Sequence, residues 1–517
     1  MLFTSLNFIL FLACLFALYY IIPYKFRWML LLGFSVIFYA SAGLEGLGFM
    51  GVTILTTYIS AISMGKMLSS QKDYLKAAGK NITREEKKAY KEKTKRKMRL
   101  FLIPCLVINF GILALLKYIL VGKGFFGIEL VLPMGISFYT FQTMGYLIDV
   151  YRGKVPAEKN IFKSALFTSF FPLIVQGPIS DYSRLTQTLY TPERFNAKNF
   201  LFGFERILWG YFKKVVIADR LLAAVSTIIG DVNEFSGAYA LFGMILYAIQ
   251  LYADFTGGID ITIGIAQMLG IRVQENFHRP YFSKNITEYW RRWHISLSEW
   301  FKEYLFYPIS VAKPMLKLSK FAREKFGDAV GKRVPVYIST IFVWFVTGVW
   351  HGRGLNFIVW GLGNCVIILI SQELLPLYKA FHSRFPSLKR TVSYKSFEIL
   401  RTIFVLSSLR MLDCYRDVPL TFKMFGSIFT GGKYAELIKG GFLNLGLSVS
   451  DYVVVALGVL LIFAVSMKQR KVPIRETLYK KPVFVQCAVI AFLILAILIL
   501  GAYGEGYDAS QFIYNQF

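Results

Sequence analysis

Residues 334–373 decide the fold class of this chain. They read VPVYISTIFVWFVTGVWHGRGLNFIVWGLGNCVIILISQE, two apolar runs, 334–350 and 354–373, that meet at His351. Each run is close to the roughly 20 residues that an α-helix needs to cross a bilayer. Inside a bilayer every backbone amide needs a partner, which a helix supplies within its own segment. The stretch therefore predicts two successive membrane helices with an ionisable side chain between them.

Apolar runs of this kind recur from residue 2 to residue 501. The chain has 517 residues, of which 55% are hydrophobic and 17% charged, and its mean hydropathy is +0.50. Soluble domains carry about 25% charged residues, so this composition excludes a soluble globular protein. We predict an all-α polytopic membrane protein with about 11–13 transmembrane helices plus re-entrant or interfacial helices. After an N-terminal span, the candidate spans are 28–42, 46–64, 100–121, 129–148, 161–178, 200–218, 237–253, 257–270, 334–350, 354–373, 397–411, 451–467 and 483–501.

Basic residues outnumber acidic ones by 59 to 31, which gives a net charge of +28. The excess lies in short loops: residues 71–100 hold 12 basic and 4 acidic side chains, and residues 312–333 hold 7 and 2. Loops of this kind face the cytoplasm in membrane proteins. A further basic loop precedes the last span, so we predict that both chain termini lie outside and that the number of crossings is even. The apolar runs leave no soluble domain to read a nucleic acid, so no nucleic-acid partner is expected.

Cysteine and histidine usage gives no sign of a disulfide framework or a metal site. The five cysteines are odd in number, widely spaced and mostly inside apolar runs. The four histidines show no His-x3-His spacing of a zinc site. We therefore expect no metal and no cofactor.

The segment 285–310, NITEYWRRWHISLSEWFKEYLFYPIS, carries aromatic residues at helical spacing, from Tyr289 to Tyr304. Arg291 and Arg292 would cost about 5–7 kcal/mol at the bilayer centre. A helix here must lie at an interface or line a watery cavity. One interpretation is an amphipathic surface helix anchored by its aromatic side chains, in which His294 is a structural, hydrogen-bonded residue.

His351 differs in kind, because it lies between two membrane segments. Burying an ionisable side chain there is costly, so it is a functional hypothesis by default. Gly348 and Gly352 flank it and would allow another backbone or a ligand to approach closely.

Two carboxylates, Asp254 and Asp260, stand in the apolar segment QLYADFTGGIDITIGIAQMLG. They are six positions apart and do not share a helical face, so they are not an acid and base pair. We predict that Gly257 and Gly258 break the helix between them and that the carboxylates cap its ends.

Four segments, taken in order, carry a family resemblance: YFKKVVIADR (211–220), QLYADFTGGIDITIGIAQMLGIRVQENFHRPY (250–281), ITEYWRRWHISLSEWFKEYL (286–305) and TGVWHG (347–352). Two further segments, LPMGISFYTFQTMGYLIDVYRG (132–153) and FFPLIVQGPI (170–179), also fit. Together they resemble the membrane-bound O-acyltransferase family, and within it the alginate O-acetyltransferase branch.

The resemblance implies a helical bundle around a central tunnel in the bacterial cytoplasmic membrane, surrounded by membrane lipids. It implies one acyltransferase domain over 1–517, with a catalytic core over 200–373. By resemblance His351 is the catalytic histidine and His294 a second active-site histidine. The substrate-binding residues are then expected to be Trp350, Arg291, Arg292, Trp293, Asp254 and Gln176.

The last span plus tail, 483–517, ends in FIYNQF. This ending is similar to the Phe-x-Tyr-x-x-Phe motif of a small single-span protein that accompanies the D-alanyl transferase member of the family. The resemblance implies that Tyr514 carries an acyl group from acetyl-CoA to an extracytoplasmic acetyltransferase partner with a serine nucleophile. Three alternatives stay open: transfer of a D-alanyl or other acyl group from a carrier protein, a transporter, and a noncatalytic scaffold.

Overall fold

Most of the described chain is helical, as hydropathy predicts. The computed structural model describes residues 3–79, 81–120, 124–125, 128–129, 132–191, 193–470 and 472–502. Within these residues the one sheet is a two-residue antiparallel hairpin, Gly124–Phe125 against Ile128–Glu129. The prediction of an all-α polytopic membrane protein is confirmed.

The α-helices are numbered α1 to α24 in chain order. They are α1 Leu6–Ile21, α2 Arg27–Ala40, α3 Leu44–Ala78, α4 Arg84–Ala114, α5 Ile136–Arg152, α6 Ile161–Ser169, α7 Phe171–Gln176, α8 Tyr182–Leu189, α9 Ala197–Tyr211, α10 Asp219–Gly230, α11 Ala238–Met268, α12 Ile286–Trp290, α13 Ile295–Phe301, α14 Tyr307–Ser310, α15 Lys313–Phe326, α16 Asp328–His351, α17 Leu355–Glu373, α18 Leu375–Arg384, α19 Val392–Tyr415, α20 Val418–Thr430, α21 Tyr434–Ile438, α22 Val449–Gln469, α23 Ile474–Tyr479 and α24 Val483–Leu500. Short 3-10 helices are Tyr24–Phe26, Pro280–Phe282, Leu388–Arg390 and Gly441–Leu445, and π-helices are Leu115–Leu120, Phe212–Ala218 and Lys302–Phe306.

Seven of the described helices are long and apolar enough to cross a membrane: α3, α4 with its extension to Ile119, α11, α16, α17, α22 and α24. Other predicted spans fall on shorter or interrupted helices. The run 161–178, for example, is divided between α6 and α7. The chain is a multi-pass membrane protein, and the count of about 11–13 crossings stays a prediction.

The predicted pair of membrane helices around His351 is present as α16 and α17. A Cβ atom on Gly348 would lie 2.5 Å from the carbonyl oxygen of Phe357, and one on Gly361 would lie 2.5 Å from that of Trp344. Only glycine permits this approach, so the expectation that Gly348 admits another backbone is confirmed.

The described residues group into two compact units. The first comprises residues up to Gly203 together with Thr262–Gln274, and the second comprises Phe204–Ile261 together with residues from Glu275 onward. The core of the first unit contains phenylalanines from α1 and α7, with the rings of Phe11 and Phe171 5.3 Å apart. The second unit contains both motif histidines.

The predicted helix break at Gly257 and Gly258 is wrong, because α11 runs through both. A Cβ atom on Gly210 of α9 would lie 2.6 Å from the carbonyl oxygen of Gly257. Within the first unit Gly203 approaches the carbonyl oxygen of Gly264 as closely. Glycines two helical turns apart on each helix thus form a close helix packing surface, which is a second use of glycine besides breaking a helix.

The prediction of one helix over 285–310 is also wrong. The segment forms α12, α13, a π-helix and α14, and His294 lies between the first two with φ 49° in the left-handed region. Trp293 and Tyr289 are buried, so this segment is not a surface helix. A hydrogen bond from a distant part of the chain holds this turn, because the N–H of Ile295 donates to the carbonyl of Asn276 at 3.0 Å.

Candidate active site

His351 is the last residue of α16 and is buried. Gly352 is extended and ends the helix, and a short turn brings α17 back alongside α16. The imidazole packs edge to face on Trp360 of α17, with ring centroids 4.7 Å apart, and on Trp350, at 4.9 Å. Its environment is therefore aromatic on two sides.

Trp350 also contacts His294, with ring centroids 6.0 Å apart. The structure thus brings the two predicted histidines to one aromatic group, although one follows α12 and the other ends α16. Phe255 of α11 packs on His294 as well, at 5.0 Å. Both histidines are buried.

Five of the eight tryptophans of the chain belong to this group, which we name the tryptophan cluster: Trp290, Trp293, Trp344, Trp350 and Trp360. Trp290, Trp344 and Trp360 contact one another, Trp350 contacts both imidazoles, and Trp293 packs on Phe255, which contacts His294. Asn364 of α17 links two of them. It accepts a hydrogen bond from Trp290 Nε1 at 3.1 Å and donates from Nδ2 to the carbonyl of Trp360 at 2.8 Å. The indole N–H is thereby satisfied inside an apolar environment.

A buried arginine, Arg410 of α19, lies against three indoles of the tryptophan cluster. Its Cζ atom is 4.7 Å from the ring centroid of Trp360, 5.4 Å from that of Trp293 and 5.8 Å from that of Trp290. Asp413, one turn later, accepts a hydrogen bond from the guanidinium at 3.1 Å. A desolvated cation over indole faces gains about 2 kcal/mol or more.

His294 is oriented by Asn276. The backbone N–H of Ser296 donates to Asn276 Oδ1 at 3.0 Å, and because a backbone N–H only donates, that atom is the amide oxygen. His294 Nδ1 lies 3.4 Å from the same oxygen. This contact places the proton on Nδ1 and the lone pair on Nε2. Burial and the charge of Arg410 lower the pKa of His294 to about 3, so the imidazole is neutral at pH 7.

The arrangement supports proton transfer chemistry. A neutral imidazole accepts a proton from an attacking hydroxyl in acyl transfer. A fixed cation nearby favours negative charge that develops on a carbonyl oxygen. Among the described residues no three His, Cys, Asp or Glu side chains are placed to hold a metal ion together.

Asp254 does not cap a helix end; it is buried and forms an ion pair with Lys214. Lys214 Nζ lies 2.6 Å from Asp254 Oδ1 and 2.7 Å from Asp219 Oδ1. Asp260, the second predicted cap, pairs with Lys213 at 2.6 Å and with Arg206 at 2.8 Å. The caps were predicted wrongly because an unbroken α11 leaves no end for them.

Both lysines belong to the π-helix Phe212–Ala218, which turns two adjacent cations toward carboxylates inside the second unit. The expectation that Asp254 binds substrate stays a prediction, since its described partner is Lys214.

Of the other predicted site residues, some lie at the tryptophan cluster and others do not. Trp350 and Trp293 belong to the tryptophan cluster. Arg291 is exposed, and Arg292 forms an ion pair with Glu288. Gln176 lies in the first unit at the end of α7, where its buried side-chain amide has no hydrogen-bond partner among the described residues. Tyr514 lies outside the described residues.

The end of the last span is held by hydrogen bonds and an ion pair. Arg220 donates to the carbonyl of Leu500 at 2.6 Å and forms an ion pair with Asp451. The N–H of Ala502 donates to the carbonyl of Val215 in the π-helix at 2.9 Å. The point from which the C-terminal tail departs is therefore fixed within the second unit.

Sequence reasoning did not identify Arg410, Asp413 and Asn276 as site residues. A signal for the first two was present, because LSSLRMLDC (406–414) places a cation and an anion three residues apart at the end of an apolar run. Asn276 left no such signal, since an asparagine in a loop is most often a turn residue.

Comparison with known proteins agrees with this geometry. The membrane-bound O-acyltransferase family model matches residues 156–412, which include the tryptophan cluster and Arg410. The chain is 31% identical to the probable alginate O-acetylase of Azotobacter vinelandii over 72% of this chain and 69% of that protein. It is 32% identical to the peptidoglycan O-acetyltransferase of Helicobacter pylori over 56% of this chain and 58% of that protein.

A third relative is the teichoic acid D-alanyltransferase of Bacillus subtilis, 28% identical over 46% of this chain and 58% of that protein. These matches, together with the two buried histidines around Trp350, agree with the resemblance of the four motifs. The chain therefore belongs to the membrane-bound O-acyltransferase family and is a multi-pass membrane O-acyltransferase.

Proposed function

We propose that this enzyme moves an acetyl group from cytoplasmic acetyl-CoA across the bacterial cytoplasmic membrane for O-acetylation of an extracytoplasmic polysaccharide. The observation that carries the proposal is the meeting of His351 and His294 at Trp350. The names of two relatives, an alginate O-acetylase and a peptidoglycan O-acetyltransferase, support an acetyl group and a polymer acceptor.

The first transfer forms an oxygen–carbon bond and breaks a carbon–sulfur bond. The phenol oxygen of Tyr514 attacks the thioester carbonyl, His351 takes the phenol proton and returns it to the departing sulfur, and the products are O-acetyltyrosine and CoA thiol. A phenol has a pKa of about 10 and imidazole about 6.5, so complete proton transfer before attack would cost about 5 kcal/mol. The histidine therefore acts as a base in concert with attack.

The second transfer takes the acetyl group from Tyr514 to the serine of a partner acetyltransferase, which restores the phenol. The partner then esterifies a polysaccharide hydroxyl. The fixed end of α24 supports this role for the tail, since Arg220 holds Leu500. The residues from Ala502 to Tyr514 would span about 40 Å if extended, enough to reach a site within the membrane.

The test is to incubate the purified full chain with isotope-labelled acetyl-CoA and to map the label by mass spectrometry. We expect label on Tyr514 that disappears in Tyr514→Phe and in His351→Ala. Tyr507→Phe is the matched control in the same tail, and His382→Ala is the control histidine, which bonds to Tyr394 away from the tryptophan cluster.

Other results would redirect the proposal. CoA release that survives Tyr514→Phe would mean direct transfer from acetyl-CoA to the partner. Label that comes only from a D-alanyl carrier protein would favour the D-alanyl alternative, which the Bacillus relative supports. Polymer acetylation that persists in His351→Ala would point to a scaffold.

A further inference from the structure

Arg410 and Asp413 form a buried ion pair that the mechanism above does not use. Their side chains are 8% and 4% exposed, and they lie one turn apart on α19. An arginine so far from solvent is costly unless its charge is paired and its donors are occupied. A pair of this kind in a membrane protein is a functional hypothesis by default.

The guanidinium contacts indoles from two separate elements. Trp290 and Trp293 belong to α12 and the turn that follows it, and Trp360 belongs to α17. Trp293 directly precedes His294, and Trp360 packs on His351. One planar cation thus contacts both the segment that carries His294 and an indole that packs on His351.

We infer that Arg410, held by Asp413, is a positioning residue that sets the relative placement of His294 and His351 through the indoles and keeps a fixed positive charge beside them. It acts on the imidazoles through the tryptophans that it contacts. This role concerns the O-acyltransferase site itself. The kinetic test of the role uses acetyl-CoA and therefore rests on the proposed function.

Within the part of the chain that the structure describes, the charged and titratable groups near His294 include Arg410, which pairs with Asp413 on α19, and His351 of α16, which shares the contact with Trp350. Phe255 of α11 contributes an apolar ring and Asn276 an amide. Burial is the larger cause of the low pKa of His294 and the charge of Arg410 is the smaller one, so removing the cation should raise this pKa while burial still opposes protonation. The acid limb of the kcat/KM profile should move to higher pH.

The test compares Arg410→Met, Arg410→Lys and the double variant Arg410→Met with Asp413→Leu. Arg401→Met is the matched control, because Arg401 lies on the same helix and also stacks on an aromatic ring, that of Phe397 at 5.8 Å, but is exposed. We expect Arg410→Met to lose kcat by about 100-fold with little change in KM for acetyl-CoA. Arg410→Lys should recover part of that loss, and Arg401→Met should behave as the wild type.

The double variant separates positioning from simple charge balance, since it leaves no buried carboxylate without a cation. If it melts like the wild type and regains wild-type kcat and pH profile, Arg410 serves only to neutralise Asp413 and the inference is overturned. A folded double variant that stays slow, with the acid limb shifted, supports it.

A wild-type enzyme that does not turn over acetyl-CoA would refute the proposed donor and not the positioning role. Near-ultraviolet circular dichroism of the indoles then tests the positioning role of Arg410, because this measurement needs no substrate. We expect Arg410→Met to lose indole signal with unchanged far-ultraviolet signal and Arg410→Lys to restore it. Identical spectra in all variants would overturn the inference.

Discussion

His294 shows how one residue connects stability to pH. Its pKa falls from about 6.5 in an unfolded chain to about 3 in the folded protein, first because it is buried and second because Arg410 is near. Between pH 6.5 and 3, His294 is therefore protonated in the unfolded chain and neutral in the folded chain. The stability from this group is present above pH 6.5 and falls by about 1.4 kcal/mol per pH unit as the pH drops toward 3.

We expect His294→Gln to flatten the stability profile between pH 6.5 and 5. Glutamine cannot take up the proton, so the wild type should lose more stability than the variant over this range, by up to about 2 kcal/mol. Thermal melts of both proteins in detergent at several pH values measure this. Parallel profiles would show that His294 titrates normally in the folded chain, and His382→Gln is the control.

Asn276 marks a limit of prediction at the residue scale. His351 was identifiable because an imidazole between two apolar runs is unusual, whereas His294 was assigned to the site only through the family resemblance. The amide that orients His294 contacts it from 18 positions earlier in the chain. Nothing in the local pattern links the two residues, because their contact depends on the turn at His294.

At the scale of helices, glycine placement decides packing, and one pair of substitutions tests this. Gly257→Ala should destabilise the protein, because the new Cβ would lie 2.9 Å from the carbonyl oxygen of Gly210 and 3.2 Å from the backbone nitrogen of Lys214. Overpacking of this kind costs about 1–3 kcal/mol. Gly426→Ala in α20 should instead stabilise by about 0.4–1 kcal/mol, because no atom lies within 4 Å of its Cβ.

Detergent denaturation of the two variants measures whether the free energy of unfolding falls in Gly257→Ala and rises in Gly426→Ala. Equal effects would show that α9 and α11 are not in close contact at Gly210. The ion pair of Lys214 with Asp254 should weaken together with the packing, since Lys214 lies at the same contact.

Hydropathy predicts helices well where a run is uniformly apolar. It predicts them poorly where the run contains glycine, which can either break a helix or allow close packing of two helices. The helices α16 and α17 follow directly from two apolar runs around His351. The pair Gly257 and Gly258 is compatible with a break or with close packing, and only the facing glycine distinguishes them. Aromatic spacing over 285–310 fits one helix, yet it contains no sign of the left-handed turn at His294.

At the scale of the whole molecule, the charge bias of the loops predicts the orientation in the membrane. The basic segment 71–100 and the basic loop between α22 and α24 should both face the cytoplasm. The hairpin α22 and α24 then places Ser450 and the tail outside. We expect single cysteines at Lys93 and Lys480 to react with a membrane-impermeant thiol reagent only after permeabilisation, and one at Ser450 to react in intact spheroplasts.

The native cysteines, all of them free, are first replaced by alanine, and the parent without cysteine is the labelling control. Each of the three positions is exposed, so failure to react reports the side of the membrane and not burial. Labelling of Lys480→Cys in intact spheroplasts would invert the hairpin and place Tyr514 in the cytoplasm, where it could not pass an acetyl group to an outside partner. Opposite results at Lys93→Cys and Lys480→Cys would mean that the two basic segments face different sides of the membrane. The predicted even number of crossings would then be wrong, but the proposed chemistry at His351 would be unaffected.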